Sequence, residues 1–218
     1  MIGVPSRPLK LLPESALLRS SPVDHPDWNY RPLLGTIQRL RFQIVLEILG
    51  DRHYDRLLEI GYGSGVFMPE LAGRCDEIYG IDPNSKPREV AENLALHGVK
   101  ADLTRTGAES LPYEDGHFDC VVAVSSLEFV PDIEAACREI RRVLRPGGTL
   151  AVVTPGDTPL WDLALRVATR ESPSIFADRR QRLQPALRSH FRLAREVRIP
   201  RLAWKAVRLY TGLHLRTD

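Results

Sequence analysis

Three glycines stand at alternate positions behind an acid in the stretch EIGYGSG, residues 59–65. A strand interior gains nothing from such residues, and a helix interior loses stability by them. Bare backbone between an apolar strand and a helix suits a ligand that must approach main-chain N–H groups, where a helix N-terminus also favours negative charge. Gly61, Gly63 and Gly65 therefore clear a path for a ligand, with Glu59 beside them. A second acid, Asp82 in YGIDPN, follows about 20 residues later at the end of the next apolar run. An acid so placed accepts hydrogen bonds from ribose hydroxyls. Together the two features predict an adenosine-containing ligand. The dinucleotide fingerprint G-x-G-x-x-G is not met, because Val66 stands where its third glycine belongs. That spacing argues against a nicotinamide-dependent oxidoreductase.

The surrounding pattern supplies the elements that hold these residues. Residues 31–49 carry apolar side chains at helical spacing, stopped by Gly50-Asp51. Strands are predicted at 56–60, 77–81, 101–106, 118–124 and 149–154, and helices at 66–72, 87–97 and 132–144. Pro146-Gly147-Gly148 is read as the turn before the fifth strand. Alternation of this kind predicts an α/β fold, a doubly wound and mostly parallel sheet covered on both faces. Residues 158–170 and 178–189 read as helices. The segments 190–200 and 206–216 alternate with period two, as an antiparallel hairpin does. The chain divides into an N-terminal arm (1–30), and a domain (31–218) made of a ligand-binding core (55–155), a helical insert (156–189) and a closing hairpin (190–216).

Four pieces of sequence resemble one family. LLEIGYGSG, IYGIDPN, GAESLPYEDGHFDCVVAVSSLEFV and EIRRVLRPGGTLAVVTP occur in the order and spacing of the class I S-adenosylmethionine-dependent methyltransferases, in particular the methyltransferase type 11 group. The resemblance covers about residues 55 to 155. It implies the seven-stranded Rossmann-like methyltransferase fold with a C-terminal antiparallel hairpin, and S-adenosylmethionine as the cofactor. By the same resemblance Glu59 and the loop Gly61, Tyr62, Gly63, Ser64 and Gly65 hold the methionine end. Asp82 binds the ribose hydroxyls, Pro83 lies by the adenine, and Ala108 and Glu109 sit at the adenine edge. Ser125 lies under the cofactor facing the acceptor, with Ser126 beside it on the substrate side. Many relatives carry His after Leu-Glu; this chain has Phe129, so no catalytic histidine is expected there.

Chemistry outside these motifs is sparser. His25, His53, His97, His117, His190 and His214 are expected away from the strand carboxyl ends or outside the core, and no general base is assigned. In HPDWNY (25–30), Trp28 and Tyr30 either face the sulfonium through a cation–π contact or pack as part of a stabilising arm. The three cysteines are too few and scattered for a zinc site or a disulfide framework, so no metal and a reducing, cytoplasmic setting are expected.

Net charge is +2, but residues 1–155 hold 17 basic and 22 acidic side chains against 13 and 6 in 156–218. The basic C-terminal third is read as a solvated Arg-rich face, with membrane-surface contact as its functional alternative. No stretch is long and apolar enough to span a bilayer, and the N-terminus lacks the apolar run of a secretory signal. SSLE replaces the N/D-P-P-Y motif of enzymes that methylate base amino groups, so nucleic acid is not expected as a partner. The function predicted is methyl transfer to a small-molecule or lipid acceptor. A cofactor-binding subunit of the same fold without catalysis is the alternative. Arm and insert together are expected to form a lid.

Overall fold

The computed structural model describes residues 8–19, 25–156, 174–200 and 208–218. One seven-stranded sheet organises them. Its strands are β1 (Tyr54–Ile60), β2 (Cys75–Ile81), β3 (Ala101–Thr104), β4 (Phe118–Val124), β5 (Leu144–Pro155), β6 (Arg192–Ile199) and β7 (Tyr210–Arg216), in the spatial order β3-β2-β1-β4-β5-β7-β6. The first five run parallel, and β7 inserts antiparallel between β5 and β6. The predicted hairpin therefore forms, and it joins the parallel sheet through its second strand.

Helices cover both faces. On one lie α1 (Leu34–Leu49), α2 (Met68–Ala72) and α3 (Pro87–Leu96); on the other lie α4 (Ile133–Val143) and α5 (Ser174–His190). The core is correspondingly split. Phe42, Val45, Met68, Leu71, Val90 and Leu94 pack with Leu57, Val122 and Val153 on the first face. Ala136, Ile140, Leu183 and Leu187 pack with Leu58, Val121 and Val152 on the second. Residues 120–123 of β4 are fully buried, so that strand is apolar on both faces.

Two details depart from the sequence reading. The Pro146-Gly147-Gly148 stretch lies within β5 and does not form a separate turn. Leu144 already pairs with Phe118, and the ladder resumes at Thr149 opposite Cys120, so the intervening residues bulge out, with Gly147 at φ +70°. Helix α5 begins at Ser174 and carries Pro185 inside it. The helix expected at 158–170, and most of the expected lid, lie outside the described residues.

Strand order reverses between β1 and β4. Ligands of doubly wound sheets bind at such a switch point, beyond the strand carboxyl ends. The glycine loop leaves β1 there.

Candidate functional site

Gly61, Gly63 and Gly65 all adopt positive φ, at +77°, +53° and +75°. Only glycine takes such angles without strain. Two of them also lack room for a side chain. A Cβ on Gly61 would stand 2.4 Å from the Cβ of Ser126, and one on Gly65 would stand 3.2 Å from Val90 and Leu94 of α3. The loop is pinned at both ends: Gly61 N–H donates to the Ile81 carbonyl (2.7 Å) and Gly65 N–H to the Tyr62 carbonyl (2.8 Å).

Asp82 is buried at the end of β2. Its Oδ2 accepts from Gly63 N–H (3.0 Å) and its Oδ1 from Asn84 N–H (2.8 Å). It thus locks the middle of the glycine loop to the neighbouring strand. A carboxylate offers about four lone-pair sites, so acceptor capacity remains on both oxygens for ribose hydroxyls. Pro83 is exposed beside it, and its carbonyl accepts from Arg105 Nε. Tyr62 packs into the core with its hydroxyl bonded to Ser85, so it contributes backbone to the loop while its ring supports it from below. Ala108 is buried, and Glu109 is half-buried next to Gly107.

Glu59 is the sharpest electrostatic feature. It is buried at the end of β1, and its Oε2 has no hydrogen-bond partner. Burial pushes its carboxyl up to about 8; the nearby Arg41 pulls the other way, and the Asp82 charge adds to the rise. Arg41, on α1, has a buried and equally unpartnered Nε. An acid and a guanidinium that feel each other yet form no ion pair have the charges to meet the ammonium and the carboxylate of an amino acid. Ser64 Oγ is a further buried atom without a partner. These orphaned groups match the methionine end of the implied cofactor. Arg41 escapes a motif search because it lies outside the glycine loop. Its signal is a lone arginine beside Phe42 on the apolar stripe of the first helix.

Past β4 the chain turns sharply. Ser125 takes φ +52°, rare for a non-glycine residue, while its N–H donates to the Val153 carbonyl (2.7 Å) and its buried Oγ has no partner. Ser126 Oγ donates to the Ile60 carbonyl (2.7 Å), tying the end of β4 to the end of β1. Strain of this kind collects at functional sites.

The arm closes one side. Leu12 is fully buried, and its N–H donates to the Val66 carbonyl just beyond the glycine loop (3.1 Å). Lys10 N–H donates to Glu70 of α2, and Asn93 of α3 donates to the Ala16 carbonyl. Tyr30 donates its hydroxyl to the Leu12 carbonyl, and Trp28 stacks on His25 at 4.4 Å. Other histidines are engaged away from the loop: His53 with Asp76, His97 with the Asn93 carbonyl, His190 with Glu134, and His117 within an aromatic cluster with Tyr79, Tyr113 and Phe118. Among the described residues no cluster of potential ligands could hold a metal ion.

Comparison with known proteins agrees with this geometry. Residues 58–152 match the family model of the methyltransferase domain. Over 125 residues the chain is 34% identical to the ubiquinone/menaquinone biosynthesis C-methyltransferase UbiE of Pseudomonas paraeruginosa, an alignment covering 55% of this chain and 49% of that protein. The chain thus spans about half the length of the curated relatives it matches. Among solved structures, the N-methyltransferase NodS of Bradyrhizobium japonicum in complex with S-adenosylhomocysteine superposes with a TM-score of 0.62 at 16% identity, covering 90% of this chain and 94% of that one. The cyclase SpnF gives a TM-score of 0.63 at 22% identity, covering 83% and 80%. At such identities the neighbours establish the fold. The fold, the loop and the match over residues 58–152 are thus similar to those of class I S-adenosylmethionine-dependent methyltransferases.

Proposed function

We propose that the protein is an active methyltransferase that passes the methyl group of S-adenosylmethionine directly, in line, to a small-molecule or lipid acceptor in the cytoplasm. The observation that carries this is the left-handed glycine loop, bonded through Gly63 to Asp82 and flanked by the unpartnered Glu59 carboxylate. When bound, the cofactor supplies a methyl group already activated by a sulfonium. The protein's task is then to orient and to exclude water, which suffices for much of such a barrier. Asp82 holds the nucleoside side, the loop backbone with Glu59 and Arg41 the amino-acid end, and Ser125 meets the acceptor. Trp28 and Tyr30 belong to the segment that walls this side, and Ser126 braces it.

An apolar acceptor is favoured by the similarity to a ubiquinone/menaquinone biosynthesis C-methyltransferase. Among the described residues no helix is long and apolar enough to cross a membrane, so a lipid acceptor would be met at a membrane surface.

Calorimetric titration with S-adenosylhomocysteine and with NAD tests the cofactor; binding of the first and not the second is expected, and the reverse would sink the reading. A labelled-methyl screen over small-molecule and lipid panels tests the transfer. Tight cofactor binding with no transfer to any acceptor would favour a non-catalytic binding subunit.

A further inference from the structure

A group of like charges gathers at the other end of the sheet. In the β6–β7 ladder Arg192 stands opposite Arg216, and Arg195 opposite His214. On β7 the face is fixed by Gly212, where a Cβ would strike Ile44 of α1 at 2.1 Å. Side chains alternate along a strand, so His214 and Arg216 share the α1 face with Gly212. Their cross-strand partners share it too. Arg192 and Arg195 would ordinarily point to opposite faces, being three residues apart. A register shift between Leu193 and Arg195 leaves Ala194 as an extra residue and turns Arg195 to the same side as Arg192. Bulges commonly re-aim a side chain in this way. Arg52, just ahead of β1, lies close enough to act electrostatically on His214.

Among the described residues Arg52, Arg192 and Arg216 have no carboxylate within ion-pair distance; Arg195 alone is paired, with Glu47 of α1. Edge-strand arginines discourage sheet-to-sheet association, and β6 is an edge. That purpose does not account for Arg216 on the inner strand β7, for Arg52 outside the sheet, or for a bulge that adds a further positive charge to one spot. Like charges placed opposite each other weaken a sheet, and a bound anion would relieve them.

We propose that Arg52, Arg192, Arg195 and Arg216, gathered around His214, form a binding site for a phosphate-class oxyanion at the end of the sheet opposite the glycine loop. Guanidinium groups suit a phosphate through planar, bidentate hydrogen bonds. The imidazole is part of the site: His214 Nε2 is buried without a partner. Burial holds its pKa below the ordinary histidine value, and Arg216, Arg52 and Arg195 lower it further. The other titratable groups facing this spot are Arg192 on β6, Tyr54 at the start of β1, and Glu47, which is engaged by Arg195. A phosphate here would offset the arginine field and raise the His214 pKa.

The test follows the His214 ring by NMR while the full chain is titrated with sodium pyrophosphate at constant ionic strength. A saturable shift with a raised His214 pKa is expected if the ligand is a free phosphate compound. A parallel arm measures sedimentation with vesicles of phosphatidylglycerol and of phosphatidylcholine; selective capture by the former assigns the phosphate to a lipid headgroup. Whichever arm responds, the double variant Arg192→Gln/Arg216→Gln should weaken it about tenfold or more, as expected on losing charge-assisted hydrogen bonds. The variant should melt no lower than the parent, because a repelling pair has gone. Silence in both arms, or an unchanged response in the variant, overturns the site.

Discussion

The charged groups beneath α4 and those at the mouth of β1 and β4 are built on opposite terms. Beneath α4, Arg142 donates to both oxygens of Glu139, to Asp115, and to the Tyr113 and Leu111 carbonyls. Glu139 also accepts from Leu111 N–H. The Arg142 hydrogen bond chiefly holds the Glu139 carboxyl down at about 2. At the mouth, Glu59, Ser64 and Ser125 each keep a buried oxygen without a partner, and Gly61, Gly63, Gly65 and Ser125 hold left-handed angles. The first region is satisfied and gains stability from its polar groups. The second gives stability up, as sites that must bind something else commonly do. Substitutions in the two regions should therefore separate stability from binding.

The largest effect should come from Gly63→Val. A β-branched residue at φ +53° is a genuine outlier, and under the proposed function its side chain would intrude on the cofactor. S-adenosylhomocysteine binding should be lost, while circular dichroism still shows a folded protein destabilised by about 1–3 kcal/mol. Retained affinity would mean that the loop is only a turn and would remove one side of the contrast.

Arg142→Ala should do the converse. Removing a partly buried guanidinium from so many acceptors should cost about 2–4 kcal/mol of stability, read as a lower melting temperature, with cofactor affinity unchanged. Its pH signature follows from Glu139. A depressed carboxyl pKa contributes stability that is complete above its ordinary value near 4.5 and is lost as pH falls toward about 2. Acid unfolding of the variant should accordingly lack that component. A variant that melts normally yet binds poorly would overturn the division.

The sequence shows these regions unevenly. The Gly61–Gly65 loop and Asp82 are legible because close backbone approach and a strand-end acid restrict residue type at fixed spacing. Strand β4 is legible because both its faces are buried, which leaves a continuous apolar run. The bulge at 145–148 is hidden, because Pro-Gly-Gly reads the same whether it ends a helix or swells a strand. Arg41 is hidden for a different reason. Its role depends on which strand ends the first helix crosses, and helical periodicity fixes a face but no neighbour. The same holds for Asp82 as a brace for Gly63 N–H, since the contact depends on strand order.

Glu59 sharpens the contrast through pH. Its folded value of about 8 lies above the ordinary 4.5, chiefly through burial. A raised carboxyl favours the folded state below pH 4.5, and that advantage fades as pH rises through about 8. The cofactor-free protein should thus lose stability between these limits, and Glu59→Gln should flatten the slope. Binding an ammonium group against Glu59 would favour the ionised form and release a proton. Calorimetry near pH 7 in two buffers of different ionisation enthalpy measures that release; up to about one proton is expected for the parent and none for Glu59→Gln. Equal proton release in both would place the ammonium elsewhere.

Ser125 offers the smallest stability effect and the finest discrimination. A left-handed L-residue costs roughly 1–2 kcal/mol relative to glycine, while glycine loosens the unfolded chain by about 0.4–1 kcal/mol. Ser125→Gly should therefore leave stability unchanged or raise it by up to about 1.6 kcal/mol, since φ +52° then carries no strain and a buried, unpartnered hydroxyl disappears. If glycine fits the turn at least as well as serine, the serine is there for its hydroxyl. Methyl transfer by Ser125→Gly should then fall although the protein melts no lower and binds S-adenosylhomocysteine as before, because Ser125 would act on the acceptor side. Ser125→Ala separates the two contributions. It keeps the strained backbone and loses only the hydroxyl, so it should match the glycine variant in activity and fall below it in stability. Full transfer by both variants would make the left-handed serine an incidental feature of the turn, and the mouth would then owe its chemistry to Glu59, Arg41 and the glycine loop alone.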